Sequence, residues 1–363
     1  MPDKEFIVAD VNPTIENGSE SWEAPSNIAL VKYWGKKENQ IPANPSLSFT
    51  LKNCKTTTKL NYVKVTEAHQ NSEEITFEVI FEGVKKESFK PKIASFFKRI
   101  LPYCAYLKHF SFEVVSENSF PHSSGIASSA SGMSALALCV MSLEKSLFPE
   151  MTDDFFNKKA SFLARLGSGS ACRSVKGNMV VWGEHKDILL SSDYYGIEYP
   201  LKTDAVFKDY QDTILLVDKG IKQVSSTVGH DLMHGHPFAE ARFKQANDHL
   251  SELIPVFADA DLKTFIKIVE SEALSLHSMM MSSDPYFLLM KPNTLALIHK
   301  IWEKREESGI PVCFTLDAGA NVHMLYPSAN KEEILEFVKN ELVVYCENGH
   351  YICDEVGEGA KML

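Results

Sequence analysis

Apolar and polar residues alternate with period two along several stretches of this chain. The run Thr56 to Val84 contains two of them, TTTKLNYVKVT and EEITFEVIFEG. Ser46–Leu51 (SLSFTL), Phe110–Val115, Gly177–Trp182 and Thr213–Asp218 (TILLVD) extend the series. Such alternation predicts strands. Trp22–Lys37 also reads as a strand, with Lys32, Lys36 and Lys37 at one end and a turn at Pro42–Pro45 after it. Helical spacing takes over at Ser95–Tyr106 and Ala135–Leu147. It recurs after Thr152 or Asp153, each a suitable N-cap, where Phe155, Phe156, Phe162, Leu163 and Leu166 form one apolar face. Further helices are expected near 237–250, 262–277, 292–308 and 331–341. Between the last two, PVCFTLDAGANVHMLYP (Pro311–Pro327) reads as a hairpin turning at Asp317–Ala320, and His350–Val356 as a final strand. The first 21 residues read as an irregular arm. The polar, Pro-containing stretch Tyr199–Gln211 marks a boundary, giving domains 1–205 and 206–363.

Two small-residue loops carry the first chemical signal. SFPHSSGIASSASGMS (Ser119–Ser134) follows a strand and leads into a helix. Small side chains let the backbone close around a ligand, and a helix N-terminus adds about half a positive charge, which suits phosphate. The loop is neither a Walker A sequence nor a GxGxxG fingerprint, so a plain surface loop stays open as a reading. The second loop, GSGSACRS (Gly167–Ser174), sets Ser168 and Ser170 before Arg173, whose fork matches a carboxylate or phosphate. Lys32, Lys36 and Lys37 are either solvated charges or ammonium groups delivered to an anion. Asp317 is either a turn former or a group that orients a substrate hydroxyl and accepts its proton. His230, His234, His236 and His249 crowd together but lack a zinc-binding pattern, and are expected to be solvated or capping.

A net charge of −11 excludes generic binding of nucleic acid or anionic membranes, though not a local basic pocket. Seven cysteines without regular spacing read as reduced thiols of a cytoplasmic protein. No apolar run approaches a membrane span, and the polar start is not a secretory signal.

Four separated segments resemble the GHMP small-molecule kinase superfamily and, within it, the diphosphomevalonate decarboxylase family. They are APSNIALVKYWGK (Ala24–Lys36), FPHSSGIASSASG (Phe120–Gly132), ARLGSGSACRS (Ala164–Ser174) and FTLDAGANV (Phe314–Val322). KYWGK and GSGSACRS are specific to the decarboxylase branch. The resemblance implies an α+β fold of two domains, one like ribosomal protein S5 domain 2 and then a ferredoxin-like one, with ATP and 5-diphosphomevalonate in the cleft between them. It implies catalytic roles for Asp317, Lys32 and Arg173. Tyr33, Lys36, Ser168, Ser170, Arg173 and Ala318 would bind substrate. Ser123, Ser124, Gly125, Ile126, Ala127, Ser128, Ser129 and Ser131 would bind ATP, with Mg²⁺ near Ser129. A homodimer is also implied. The chain departs from the family after Val224–Ser226, where familiar members continue Arg-Ser-Gly-Met. Here Thr227-Val-Gly-His230 follows, so one cation is missing unless His230, Lys222 or Lys219 replaces it. Two rivals follow: a kinase or decarboxylase acting on 5-phosphomevalonate, or a non-catalytic scaffold.

Overall fold

The alternating runs do build sheets, with fewer breaks than the pattern suggests. The computed structural model describes residues 2–66, 74–121, 126–219 and 226–363. β1 (Asn17–Val31) and β2 (Ser46–Lys64) pair antiparallel over nearly their full length. β1 thus begins inside the stretch expected to be an irregular arm, and β2 joins two expected strands. The rest of the arm is anchored by Phe6, fully buried with its ring centroid 4.4 Å from that of Phe162.

The first sheet adds β3 (Phe77–Phe81), β4 (Val84–Lys85) and β5 (Phe110–Asn118) in the order β1–β2–β5–β3–β4, with β3 and β5 parallel. β6 (Met179–Trp182) pairs with β2, and β7 (Ile197–Glu198) with β6. Three helices accompany it: α1 (Lys90–Ile100), α2 (Ser128–Leu147) and α3 (Asp153–Gly167). α1 lies earlier than the predicted 95–106. Pro91 suits its first turn, and Pro102 cannot continue it. Thr152 caps α3, its hydroxyl accepting from the Phe155 amide at 3.2 Å.

The second sheet, β11–β8–β10–β9, is antiparallel throughout: β8 (Gln211–Leu215), β9 (Cys313–Thr315), β10 (Val322–Tyr326) and β11 (Tyr351–Glu355). Its helices are α4 (Ser226–Asp231), α5 (Ala239–Asp259), α6 (Leu262–Met281), α7 (Pro292–Ser308) and α8 (Lys331–Phe337). α5 continues past the expected end at Leu250, through Pro255. Among the described residues, no helix is long and apolar enough to cross a membrane.

The two sheets share an apolar core. Leu30 and Phe49 of the first belong to one buried cluster with Ile214 of the second and with Leu250 and Phe265 of its helices. Asp354 of β11 adds a polar lock. Its buried carboxylate accepts the amides of Lys52 (2.9 Å), Asn53 (2.8 Å), Cys54 (2.7 Å) and Glu355 (2.8 Å). Asp354→Ala would leave these donors without their acceptor and should cost roughly 3 kcal/mol in chemical denaturation. A loss below about 1 kcal/mol would show that water replaces the carboxylate. Finally β12 (Lys361–Met362) crosses back and pairs with β1 at Glu23 and Trp22.

Candidate active site

β1 ends at Val31, so the lysines of KYWGK sit on a loop rather than on the strand expected for them. The backbone of Lys32 is drawn out of the sheet by the second half of the chain. Its amide donates to Glu272 Oε2 at 2.8 Å, and its carbonyl accepts from Asn44 Nδ2 (3.0 Å) and Arg242 Nη2 (3.3 Å). Glu272 is completely buried, gripped by the Arg242 fork and by His249 Nδ1 at 2.6 Å. Burial alone would raise the Glu272 carboxyl, but the Arg242 charge and these hydrogen bonds bring it below the ordinary carboxylate value. Gly35 completes the loop at φ +97°. A Cβ there would sit 2.8 Å from the Phe243 ring.

The side chain of Lys32 runs inward, only 1% of the residue exposed, and Nζ reaches Asp317 Oδ1 at 3.1 Å. Burial pushes the ammonium pKa down, and the Asp317 charge opposes the shift. Asp317 occupies the connection between β9 and β10. Its carbonyl makes the turn, accepting from the Gly319 amide (2.7 Å) and from His277 Nε2 (3.1 Å), while its carboxylate meets Lys32. Ala318 stands next to it, partly buried against the cluster around Trp34, Leu276 and Met280.

His277 and His230 are buried and uncharged, since burial pushes their pKa values to about 4 and about 3. Below about pH 6.5 the unfolded rings take up protons that the folded ones refuse. Stability should therefore fall with pH, by roughly 2.7 kcal/mol per unit for the pair down to about pH 4. Urea midpoints at pH 6 and 4.5 would measure the slope, and His277→Gln should remove about half of it. An unchanged slope would mean that His277 titrates freely in the folded chain.

Arg173 lies in a 3₁₀ turn, Gly169–Ser174, and is 3% exposed. Its guanidinium donates to the hydroxyls of Ser48 and Ser46 (the latter at 2.6 Å) and to Asn27 Oδ1 at 3.3 Å, and lies 5.7 Å from the Trp182 ring centroid. Burial lowers its pKa, with the Asp317 carboxylate among the groups opposing the shift. Among the described residues no carboxylate comes within ion-pair distance of it. A buried cation held only by neutral groups is costly, and an incoming anion relieves the cost.

Ser168 meets the other small-residue loop, its Oγ 3.3 Å from Ser129 Oγ. Ser170 is half-buried, and its carbonyl accepts from Asn27 Nδ2 at 3.2 Å. Tyr33 lies over Gly169, where a Cβ would be 2.8 Å from the phenol oxygen. Its ring sits between Trp182 (4.6 Å) and His230 (4.2 Å), and burial pushes the phenol pKa up. Lys36 pairs with Asp231 at 3.2 Å.

Of the four histidines, His234 is exposed as expected and His236 Nδ1 accepts the Phe238 amide at 3.1 Å just before α5, a capping role, whereas His230 is buried and His249 pairs with Glu272. His230 packs on Trp34 and accepts the Gly35 amide at 3.0 Å through Nδ1, and His236 Nε2 donates to the Met279 carbonyl at 3.1 Å. Uncharged His230 does not replace the missing cation. Lys219 turns to His350, and Lys222 is outside the described residues, as is the side chain of Thr227.

α2 starts at Ser128, seven residues before the predicted Ala135, because the small residues form its first turns. Ala127 precedes it in the left-handed region (φ 44°) without a side-chain cap, and in the first turn the Ala130 amide bonds the Ala127 carbonyl at 2.7 Å. Ser128 and Ser129 stand at this end. Ile126 is buried, and its carbonyl accepts from Ser26 Oγ at 2.6 Å. Ser131 is fully buried, its hydroxyl 2.6 Å from that of Thr56 and 3.3 Å from the Ser128 carbonyl. Ser123, Ser124 and Gly125 lie outside the described residues. Beside Ser128, a cavity of about 210 Å³ is lined by Thr56, Phe81, Phe89, Ile93 and Asn118. Thr56 donates to Asn118 Oδ1 at 2.8 Å, leaving Asn118 Nδ2 buried and unpartnered among the described residues.

This arrangement recurs in known proteins. Residues 24–194 match the diphosphomevalonate decarboxylase-like N-terminal domain, and residues 213–358 the mevalonate 5-diphosphate decarboxylase C-terminal domain. The diphosphomevalonate decarboxylase mvd1 of Aspergillus fumigatus is 29% identical over 87% of this chain and 78% of its own. The Saccharomyces cerevisiae diphosphomevalonate decarboxylase is 29% identical over 87% and 79%. The Staphylococcus aureus mevalonate diphosphate decarboxylase superposes with a TM-score of 0.80, at 27% identity, over 96% of this chain and 98% of that one. A structure of MDDEF in complex with MVAPP, AMPPCP and magnesium gives a TM-score of 0.80 at 27% identity, over 95% and 98%. Over both halves, the chain belongs to the diphosphomevalonate decarboxylase family of GHMP-kinase-like proteins.

Proposed function

We propose that this chain converts (R)-5-diphosphomevalonate and ATP into isopentenyl diphosphate, ADP, phosphate and CO₂, within the mevalonate route to isoprenoids. The supporting observation is the buried Arg173 guanidinium, without a carboxylate partner among the described residues, close enough to the Lys32–Asp317 pair for their charges to act on one another. A tertiary hydroxyl is a poor leaving group until it is phosphorylated. Asp317 orients the 3-hydroxyl and accepts its proton as the oxygen attacks the γ-phosphorus of ATP. Lys32 offsets charge on the transferring phosphoryl. Phosphate then leaves with the C–O electron pair, positive charge grows at C3, and the C–CO₂ bond supplies the electrons of the new double bond. Arg173 and the Ser168 and Ser170 hydroxyls hold the carboxylate until it departs as CO₂. Tyr33 and Lys36 take the diphosphate, displacing Asp231 from Lys36, and Ala318 lines the approach to Asp317.

The ATP phosphates lie across Ile126–Ser129 at the uncapped end of α2, and the base enters the cavity beside Asn118. The orphaned Asn118 amide supports a nitrogen heterocycle there, and Asn118→Ala should raise KM for ATP about tenfold with kcat retained. An unchanged KM would place the base elsewhere. The Ser129 hydroxyl would supply a protein oxygen to Mg²⁺, which would offset negative charge on the phosphates when bound. We place the domain division at 205/206. A homodimer is carried over from the family. A cytoplasmic setting is consistent with seven free cysteines.

The test is incubation with MgATP and either 5-diphospho- or 5-phosphomevalonate, following ADP, phosphate and CO₂ together. Equal amounts of all three from the diphosphate support the proposal. The same products from the monophosphate alone would reassign the substrate. ADP without CO₂ would make the chain a kinase, and no turnover would leave a scaffold.

A further inference from the structure

A second basic cavity, of about 550 Å³, lies at the C-terminal ends of α1 and α3. Lys98, Arg99, Tyr103, Arg165, Tyr194 and Ile41 line it, and Lys32 and Arg173 do not. Arg165 forms its floor, 1% exposed. Its Nε donates to the Tyr194 carbonyl at 2.8 Å and Nη1 to the Asn39 carbonyl, and Nη2 has no partner among the described residues. Burial lowers the Arg165 pKa, and the groups opposing that shift are a thiol and three phenols, not a carboxylate.

Elsewhere on the same two helices, Lys90 of α1 and Lys158 of α3 are paired with Glu87 and Glu5. Lys98 and Arg99 have no such pair among the described residues; Arg99 instead donates to the Leu166 carbonyl at 2.8 Å. Asp3, the acidic side chain on the wall, accepts the Tyr103 hydroxyl at 2.8 Å. Basic residues in the last turn of α1 also complement its dipole. That accounts for Lys98 and Arg99 as surface charges, but not for a buried guanidinium facing the same space.

We propose that this cavity is a second anion site, taking a small phosphorylated molecule with at least two negative charges. The Arg165 fork and the two outer cations supply the charge match, and Tyr103, Tyr194 and Ile41 give walls for an organic part. Arg165 is three residues from Ser168, and Asn39 three from Lys36. An occupant would therefore tie together the two loops that frame the active site.

The experiment is calorimetric titration of the full chain with inorganic pyrophosphate, which probes both sites. The Lys98→Glu/Arg99→Glu variant should lose one binding event, or weaken it at least tenfold, and keep turnover within about twofold. Arg165→Gln should weaken the same event. The charge-matched Lys202→Glu/Lys208→Glu control should titrate like the parent protein. Identical titrations of parent and Lys98/Arg99 variant would overturn the site, as would equal weakening in the control. Acetate, which carries a single negative charge, binding as tightly as pyrophosphate would overturn the charge requirement.

Discussion

Asp317→Asn should cut turnover by about 10²–10⁴ and leave nucleotide binding within a few-fold of the parent protein. The amide keeps the shape of the side chain and the turn made by its backbone, including the bonds from Gly319 and His277. It cannot take a proton from a substrate hydroxyl. It also withdraws the countercharge from Lys32, whose ammonium burial already disfavours. Steady-state kinetics paired with equilibrium binding of an ATP analogue would read both effects. Turnover within a few-fold of the parent would remove Asp317 from the chemistry.

Arg173→Gln should lower kcat/KM for the acid substrate at least a hundredfold, with ATP affinity nearly unchanged. Two charge-assisted hydrogen bonds to a carboxylate, at roughly 1.5–3 kcal/mol each, are worth a factor of about 10²–10⁴. Glutamine can still bond Ser46, Ser48 or Asn27, so the pocket keeps part of its hydrogen bonding. Equal loss of substrate turnover and ATP binding would make Arg173 a structural or nucleotide-facing cation.

The residues that touch ligand in this scheme are concentrated in four segments that stand out in the sequence. Those that aim them do not. Asn27 lies inside the first segment but reads as an ordinary strand residue. Ser46 and Ser48 look like the outward half of an alternating strand, yet both are fully buried, because β6 and Arg173 close over that face of β2. Glu272 and His277 lie on the same helix as a largely apolar face, yet Glu272 accepts the Lys32 amide 240 positions away and His277 donates to the Asp317 carbonyl 40 positions away. Helix starts were misplaced where small or Pro residues mark the first turn, as at Ser128 and Lys90. The histidine cluster misled for the opposite reason. His230, His236 and His249, close in sequence, were separated onto different internal partners, and local spacing carries no record of them.

The return of β12 to β1 has a consequence for how the chain is made. The first sheet gains its outer strand only when residues 361 and 362 exist, after the whole second half has been synthesised. During synthesis the Trp22–Glu23 edge of β1 stays open, offering unpaired amides and carbonyls to any passing strand. The nascent first half is thus exposed to misassociation for longest at the edge that the last strand covers.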